Sequence, residues 1–313
     1  MSINNYGILF PGCGVKFLGN ETELLVSSNH VLNDLLSRAE SISDFDSSVF
    51  INCKNGEFSD ELQAQFATYI YSCVMSCALK NDGILTRCTA GYSMGLYAAL
   101  FHVESMSFED GIRLIEHAYR CMRNQLQGEK FGVAVIVGLT DDVLNTIIHN
   151  CRSNLEIINV NSQVSLVIAG YEIEVQRVMA TALEEGALRA SRLPLSTPYH
   201  STLVSSAVNE FSNIFSDISF VSPTYSIISC TRQNILKTEI DVKNALAENI
   251  GGSINWLKTM EKMIAEDVKK FIECGPGDSL TRVCKFIDGD YTIKNMSRYR
   301  DIVGHRPKCS GIT

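Results

Sequence analysis

Five residues, Gly91-Tyr92-Ser93-Met94-Gly95, constrain this chain more than any other stretch. They stand between an apolar run that reads as a strand, Gly83 to Ala90, and a run of good helix formers, Leu96 to His102. A Gly-x-Ser-x-Gly at a strand-to-helix junction is the pattern of a sharp turn that lifts a serine hydroxyl above a sheet edge. Glycine permits unusual backbone angles and leaves room beside the serine. The helix behind it directs unpaired N–H groups at any negative charge that develops there. Ser93 is therefore a candidate nucleophile, against the plain alternative of an ordinary strand-to-helix turn.

The flanking sequence predicts an α/β body. Tyr6 to Phe10 reads as a buried strand that ends in the loop Pro11-Gly12-Cys13-Gly14. Apolar residues at four-residue spacing (Leu62, Phe66, Ile70, Val74) predict a helix over 60–80, and another spans 108–127. The middle changes character. Strands at 132–139, 155–160, 165–170 and 187–195 alternate with helices at 141–151 and 171–185. That β-α-β-β-α-β order is the signature of a ferredoxin-like unit. Beyond it, Thr197 to Ser201 opens a helix to about Phe215. Buried strands follow at 226–230 and 269–274, and a last helix at 280–287.

Composition excludes several functions. The chain has 313 residues and a net charge of −8, so it has no global electrostatic reason to bind nucleic acid or an anionic membrane surface. No apolar run approaches the ~20 residues of a membrane span. The first residues lack the basic-then-apolar pattern of a signal peptide. Eleven cysteines without a Cys-x-x-Cys pair read as reduced, mostly buried thiols in a cytoplasmic protein, and no zinc site is expected. A serine nucleophile needs a base. Of six histidines, His200 alone sits in a distinctive context, the loop Pro198-Tyr199-His200-Ser201, though a bland loop residue would look the same.

Six motifs in order carry a resemblance: 10–14 (FPGCG), 91–97 (GYSMGLY), 159–162 (NVNS) with 167–170 (VIAG), 198–201 (PYHS), 254–256 (INW) and 273–277 (ECGPG). The chain resembles the malonyl-CoA:acyl carrier protein transacylase family, including the free-standing acyltransferases of polyketide assembly lines, from about Gly7 to Ile287. The resemblance implies an α/β-hydrolase-like body (1–128 and 196–313) with an inserted ferredoxin-like subdomain (129–195). It implies ping-pong acyl transfer, with Ser93 attacking a thioester and His200 as general base. A backbone carbonyl, expected at Asn249, would orient the histidine. Backbone N–H groups of Cys13 and Met94 would form the oxyanion hole. Tyr92, Ala118, Asn161 and Tyr199 would line the substrate pocket. The expected partners are an acyl carrier protein and acyl-CoA, with CoA or phosphopantetheine thioesters as substrate and no tightly bound cofactor. A monomer is expected, and a local basic patch (Lys269, Lys270, Arg282, Lys285, Arg298, Arg300) is a docking candidate.

The informative departure is Ala118. Malonyl-specific members of the family carry an arginine there, 25 residues after the serine, that pairs bidentately with the substrate's free carboxylate. Arg113 and Arg120 project elsewhere on the helix, and a one-residue shift would bring only His117. A malonyl carboxylate buried without a partner would cost several kcal/mol. Tyr92 for histidine, Leu96 for glutamate, Ser165 for glutamine, and Val15 and Lys16 in the first loop also depart from the family. The expected function is acyl transfer of a non-carboxylated group in polyketide or fatty-acid biosynthesis. Hydrolysis of acyl carrier protein thioesters and malonyl transfer despite Ala118 are the alternatives. A silent docking protein, or a late acid–His305 triad using Asp288 or Asp290, fits less of the pattern.

Overall fold

Strand β1 (Asn5–Phe10) sits at the centre of the larger sheet because its apolar run can be buried on both faces. The computed structural model describes residues 5–13, 29–48, 58, 60–126 and 128–296. Val15, Lys16, Arg298, Arg300 and His305 lie outside them. On one side β1 pairs in parallel with β2 (Leu85–Gly91), on the other with β10 (Lys270–Glu273). The six-stranded order is completed by β11 (Thr292–Asn295) beyond β10, and by β7 (Ser226–Ile228) and β8 (Ile235–Leu236) beyond β2.

Period-two alternation divides β1 between two cores. Ile8 and Phe10 face helices α1 (Asn29–Ile42), α2 (Glu61–Asn81), α3 (Gly95–His102) and α4 (Phe108–Gln125). Leu9 faces the opposite layer, with Trp256 and Met260 of α9 (Trp256–Ala265) and Leu280 of α10 (Ser279–Cys284). Asp60 caps α2 by accepting from the Gln63 N–H at 2.9 Å, and most of the helix is buried.

The smaller sheet has the β-α-β-β-α-β order read from sequence. Its elements are β3 (Phe131–Val137), α5 (Asp141–Asn150), β4 (Glu156–Ser162), β5 (Ser165–Tyr171), α6 (Glu172–Glu184) and β6 (Arg189–Arg192). The spatial order is β6-β3-β5-β4, with antiparallel pairing throughout. The fold is an α/β-hydrolase-like body carrying a ferredoxin-like subdomain. A two-residue strand from the body, β9 (Ile254–Asn255), joins this sheet in parallel beside β4. One sheet face packs on α5 and α6. The other presents Val133, Ile158 and Val167 toward the body.

The continuous helix expected after Ser201 is instead broken. A 3₁₀ turn at Thr202–Val204, helix α7 (Ala207–Ser212) and a second 3₁₀ turn at Asn213–Ser216 replace it. Hydroxyls compete with backbone N–H groups for carbonyls there. Ser205 donates to Thr202 O at 2.7 Å, and Ser212 to Val208 O at 2.7 Å. Three helices have no counterpart in the sequence reading: α1, α9 and α8 (Glu239–Gly251). The last opens on a capping box between Thr238 and Asp241, a signal that was legible. Among the described residues no helix is long and apolar enough to cross a membrane.

Candidate active site

The C-terminal end of β2 delivers Ser93 to the junction between the two sheets. Gly91 and Gly95 are required by space rather than by backbone angle. A Cβ on Gly91 would lie 2.3 Å from the Gly95 carbonyl, and one on Gly95 would lie 2.2 Å from the Phe10 carbonyl oxygen. The unusual angle falls on Ser93 itself, at φ 54°. The Tyr92 N–H donates to Phe10 O at 2.9 Å and locks the turn against β1.

His200 meets it from the loop that precedes α7. Its Nε2 is 2.7 Å from Ser93 Oγ, although 107 residues separate them in sequence. His200 also has positive φ, 67°, and its N–H donates to Ile250 O at 2.8 Å. The ring is buried, which pushes its pKa down to about 4, while the Gly252 carbonyl acts in the opposite direction. Nδ1 lies 3.2 Å from Gly252 O. A carbonyl can only accept, so Nδ1 carries the proton and Nε2 is free to accept from Ser93.

The orienting carbonyl is thus Gly252, not Asn249 as expected from the resemblance. Asn249 lies in the last turn of α8, where its backbone carbonyl follows the helix axis. Its side chain instead donates from Nδ2 to the Ser93 carbonyl at 3.1 Å. Gly252, just past the helix, is in extended conformation and turns its carbonyl toward the ring.

Cys13 and Met94 both line the cleft beside Ser93. Met94 immediately precedes α3, where helical N–H groups lack intrahelical partners. Tyr92, Ala118 and Tyr199 also line it. Asn161 does not. Its Oδ1 accepts from the Tyr92 hydroxyl at 2.8 Å, and it is Asn159, two residues back on the same face of β4, that reaches the cleft. Asn159 Nδ2 donates to the same hydroxyl at 2.5 Å.

Arg113 and Arg120 of α4 are paired outside the cleft. Arg113 pairs with Asp110, and Arg120 with Asp44 and Glu116. His117 Nε2 lies 3.2 Å from the Glu210 carbonyl. Among the described residues that line the cleft there is no lysine or arginine. Glu61 and Gln65 of α2, which sequence reasoning missed, line the same cleft as Ala118. Glu61 Oε2 accepts from Ser196 Oγ at 3.1 Å and Thr197 Oγ1 at 3.4 Å. Burial pushes the Glu61 pKa up, and these hydroxyls, the Ser196 N–H and Arg123 oppose the shift. In sequence Glu61 is only an acidic residue in a helix's first turn, so nothing marked it. Asn159 was marked by its spacing from Asn161.

No family model matches the chain. It is 24% identical over 303 residues to the malonyl CoA-acyl carrier protein transacylase of Staphylococcus aureus strain MRSA252, covering 95% of this chain and 97% of that one. Its identity to the Bacillus subtilis strain 168 protein of the same name is 26% over 289 residues, covering 91% of each. Among solved structures, FabD from Acinetobacter baumannii superposes with a TM-score of 0.86 at 26% identity, covering 96% of this chain and 98% of that one. A malonyl-transacylase in complex with its type II PKS acyl-carrier protein superposes at 0.87 with 23% identity, covering 95% and 98%. Over nearly all of its length the chain is a relative, in sequence and in fold, of the malonyl CoA-acyl carrier protein transacylases.

Proposed function

We propose that the protein is an acyltransferase that moves an acyl group between CoA and acyl carrier protein thioesters through an acyl-Ser93 intermediate. The observation that carries this is the 2.7 Å contact of Ser93 Oγ with a buried, neutral His200 at the end of a parallel strand. Ser93 Oγ attacks the thioester carbonyl as His200 Nε2 takes its proton. Backbone N–H groups of Cys13 and Met94 hold the oxyanion. The tetrahedral adduct collapses, the C–S bond breaks, and the departing sulfur takes the proton from His200. In the second half an incoming thiol gives its proton to His200 and attacks the ester. Ser93 then recovers the proton. The Gly252 carbonyl keeps the imidazole in one tautomer and supports the transient imidazolium.

The acyl group is the finer question. A cleft with no described lysine or arginine, and with Glu61 in its wall, supports a short group that lacks a carboxylate. The names of the curated relatives favour malonyl as a second reading. Hydrolysis would need only water in place of the thiol, and the relatives' names lend it nothing. Intact-mass analysis of the enzyme with acetyl-CoA, malonyl-CoA and a holo acyl carrier protein tests all three. Transfer predicts an acetyl mass on Ser93, absent in Ser93→Ala, that passes to the carrier protein. Free thiol without a loaded carrier would mean hydrolysis, and efficient malonyl loading would give the specificity to the second reading.

A further inference from the structure

The cleft that Ala118 lines contains a hydrogen-bond acceptor that no described residue satisfies with good geometry. Glu61 Oε2 is occupied by the Ser196 and Thr197 hydroxyls, and the Ser196 N–H also approaches the carboxylate, but Glu61 Oε1 is buried and meets no hydrogen-bond partner of good geometry among the described residues. A buried acceptor left unmet costs stability, so such atoms usually have a use. Gln65, one turn along α2 and only 5% exposed, lines the same wall. Tyr199 brings a buried hydroxyl to it, next to Gln65. Ala118 supplies space rather than charge.

Resting on the acyl-Ser93 reading above, we propose that this wall selects a short acyl chain carrying a hydrogen-bond donor, an amine or a hydroxyl, and that Glu61 is the residue that reads it. Three acyl classes can be compared on the groups present. A carboxylated chain would set a second carboxyl against Glu61 with no cation among the described cleft residues to separate them. A plain alkyl chain would leave Oε1 as unmet as it is now, and would exclude the water that could otherwise serve it. A chain with an N–H or O–H near its far end satisfies Oε1, and the Gln65 amide and Tyr199 hydroxyl can take any further bonds. Arg123 is near enough to favour the charged form of Glu61, yet it is not among the cleft residues, so it leaves Oε1 open to a ligand.

The test is loading of Ser93 on the full chain, followed by intact mass at short times. The probes are the CoA thioesters of propionyl, β-hydroxypropionyl, β-aminopropionyl and malonyl groups. The wild type is expected to load one or both donor-bearing groups with a kcat/KM at least about tenfold above propionyl, because a site built around a hydrogen bond rejects the analogue that lacks it. Glu61→Met should bring the donor-bearing rates down to that of propionyl. Glu61→Gln keeps an acceptor without the charge, so it should retain a preference for hydroxyl and lose one for amine. The two donor probes thereby say which is read. Equal wild-type rates for propionyl and both donors would overturn the proposal. So would Glu61 variants that slow all four thioesters alike, since that would confine Glu61 to holding the Ser196–Thr197 loop. No mass on Ser93 from any thioester would instead overturn the acyl-enzyme reading itself.

Discussion

At the scale of single residues, two opposed demands meet at His200. Burial holds the ring neutral, with a pKa lowered to about 4. An unfolded chain would bind that proton near pH 6.5. His200 therefore leaves stability unchanged above about pH 6.5 and lowers it as pH falls toward 4, because the unfolded state then binds more protons. Activity should follow the folded value. Single-turnover acylation of Ser93, read by mass from pH 4 to 8, is expected to stay flat down to about pH 5 and then fall. An inflection near 6.5 would mean that the ring is solvated. Ala118 makes a second prediction. Ala118→Arg alone would share the cleft with the Glu61 carboxylate, which would compete for the new cation. Combined with Glu61→Gln, it should raise malonyl over acetyl loading by about tenfold or more, the worth of a charge-assisted bidentate contact. No gain in that ratio would show that this position does not face the acyl tail.

At the scale of elements, the strand–turn–helix around Ser93 is held by close backbone contact. Gly95→Ala would drive a methyl into the carbonyls of Phe10 and Pro11, at 2.2 and 2.8 Å. Those are backbone atoms of the loop that leaves β1, so relief requires α3 to move as a unit. Urea unfolding should show a loss of about 2 kcal/mol or more, as for other overpacked sites. A loss below about 0.5 kcal/mol would mean that α3 is free to shift. The broken helix after Ser201 has the opposite character. Its serines satisfy carbonyls locally, while His200 just before it is placed by its positive φ and its N–H bond to Ile250 O.

At the scale of the whole molecule, the site depends on how the two sheets are joined. Tyr92 precedes Ser93 on the larger sheet, and its hydroxyl bonds to Asn159 and Asn161 of β4 on the smaller one. The strand β9 repeats the connection through the backbone, just before Trp256 packs edge-on against the Tyr92 ring at 5.5 Å. Tyr92→Phe removes the shared hydroxyl and leaves two buried amides short of a partner. A loss of about 1–3 kcal/mol in thermal or urea unfolding is expected. A change within experimental error would mean that β9 alone sets the spacing of the sheets.

The sequence by itself determined the local pieces. Gly91-x-Ser93-x-Gly95 between an apolar strand and a helix, the β-α-β-β-α-β run and the Pro198–Ser201 loop are short-range patterns, set by backbone geometry and hydrophobic period within a few turns of chain. The ungapped count from Ser93 to Ala118 crosses α3, a turn and part of α4, and the residue it reaches lines the cleft. Only the tertiary structure decided which groups surround these pieces. Gly252 rather than Asn249 meets the His200 ring because the direction of a carbonyl depends on where α8 ends against the body. Asn159 reaches the cleft and Asn161 does not, although the Tyr92 hydroxyl, from another sheet, bonds to both. Glu61 reaches the cleft from a helix that begins 32 residues before Ser93. No pattern within α2 announces what the rest of the cleft lacks, since charge and polarity there are matched across space rather than along the chain.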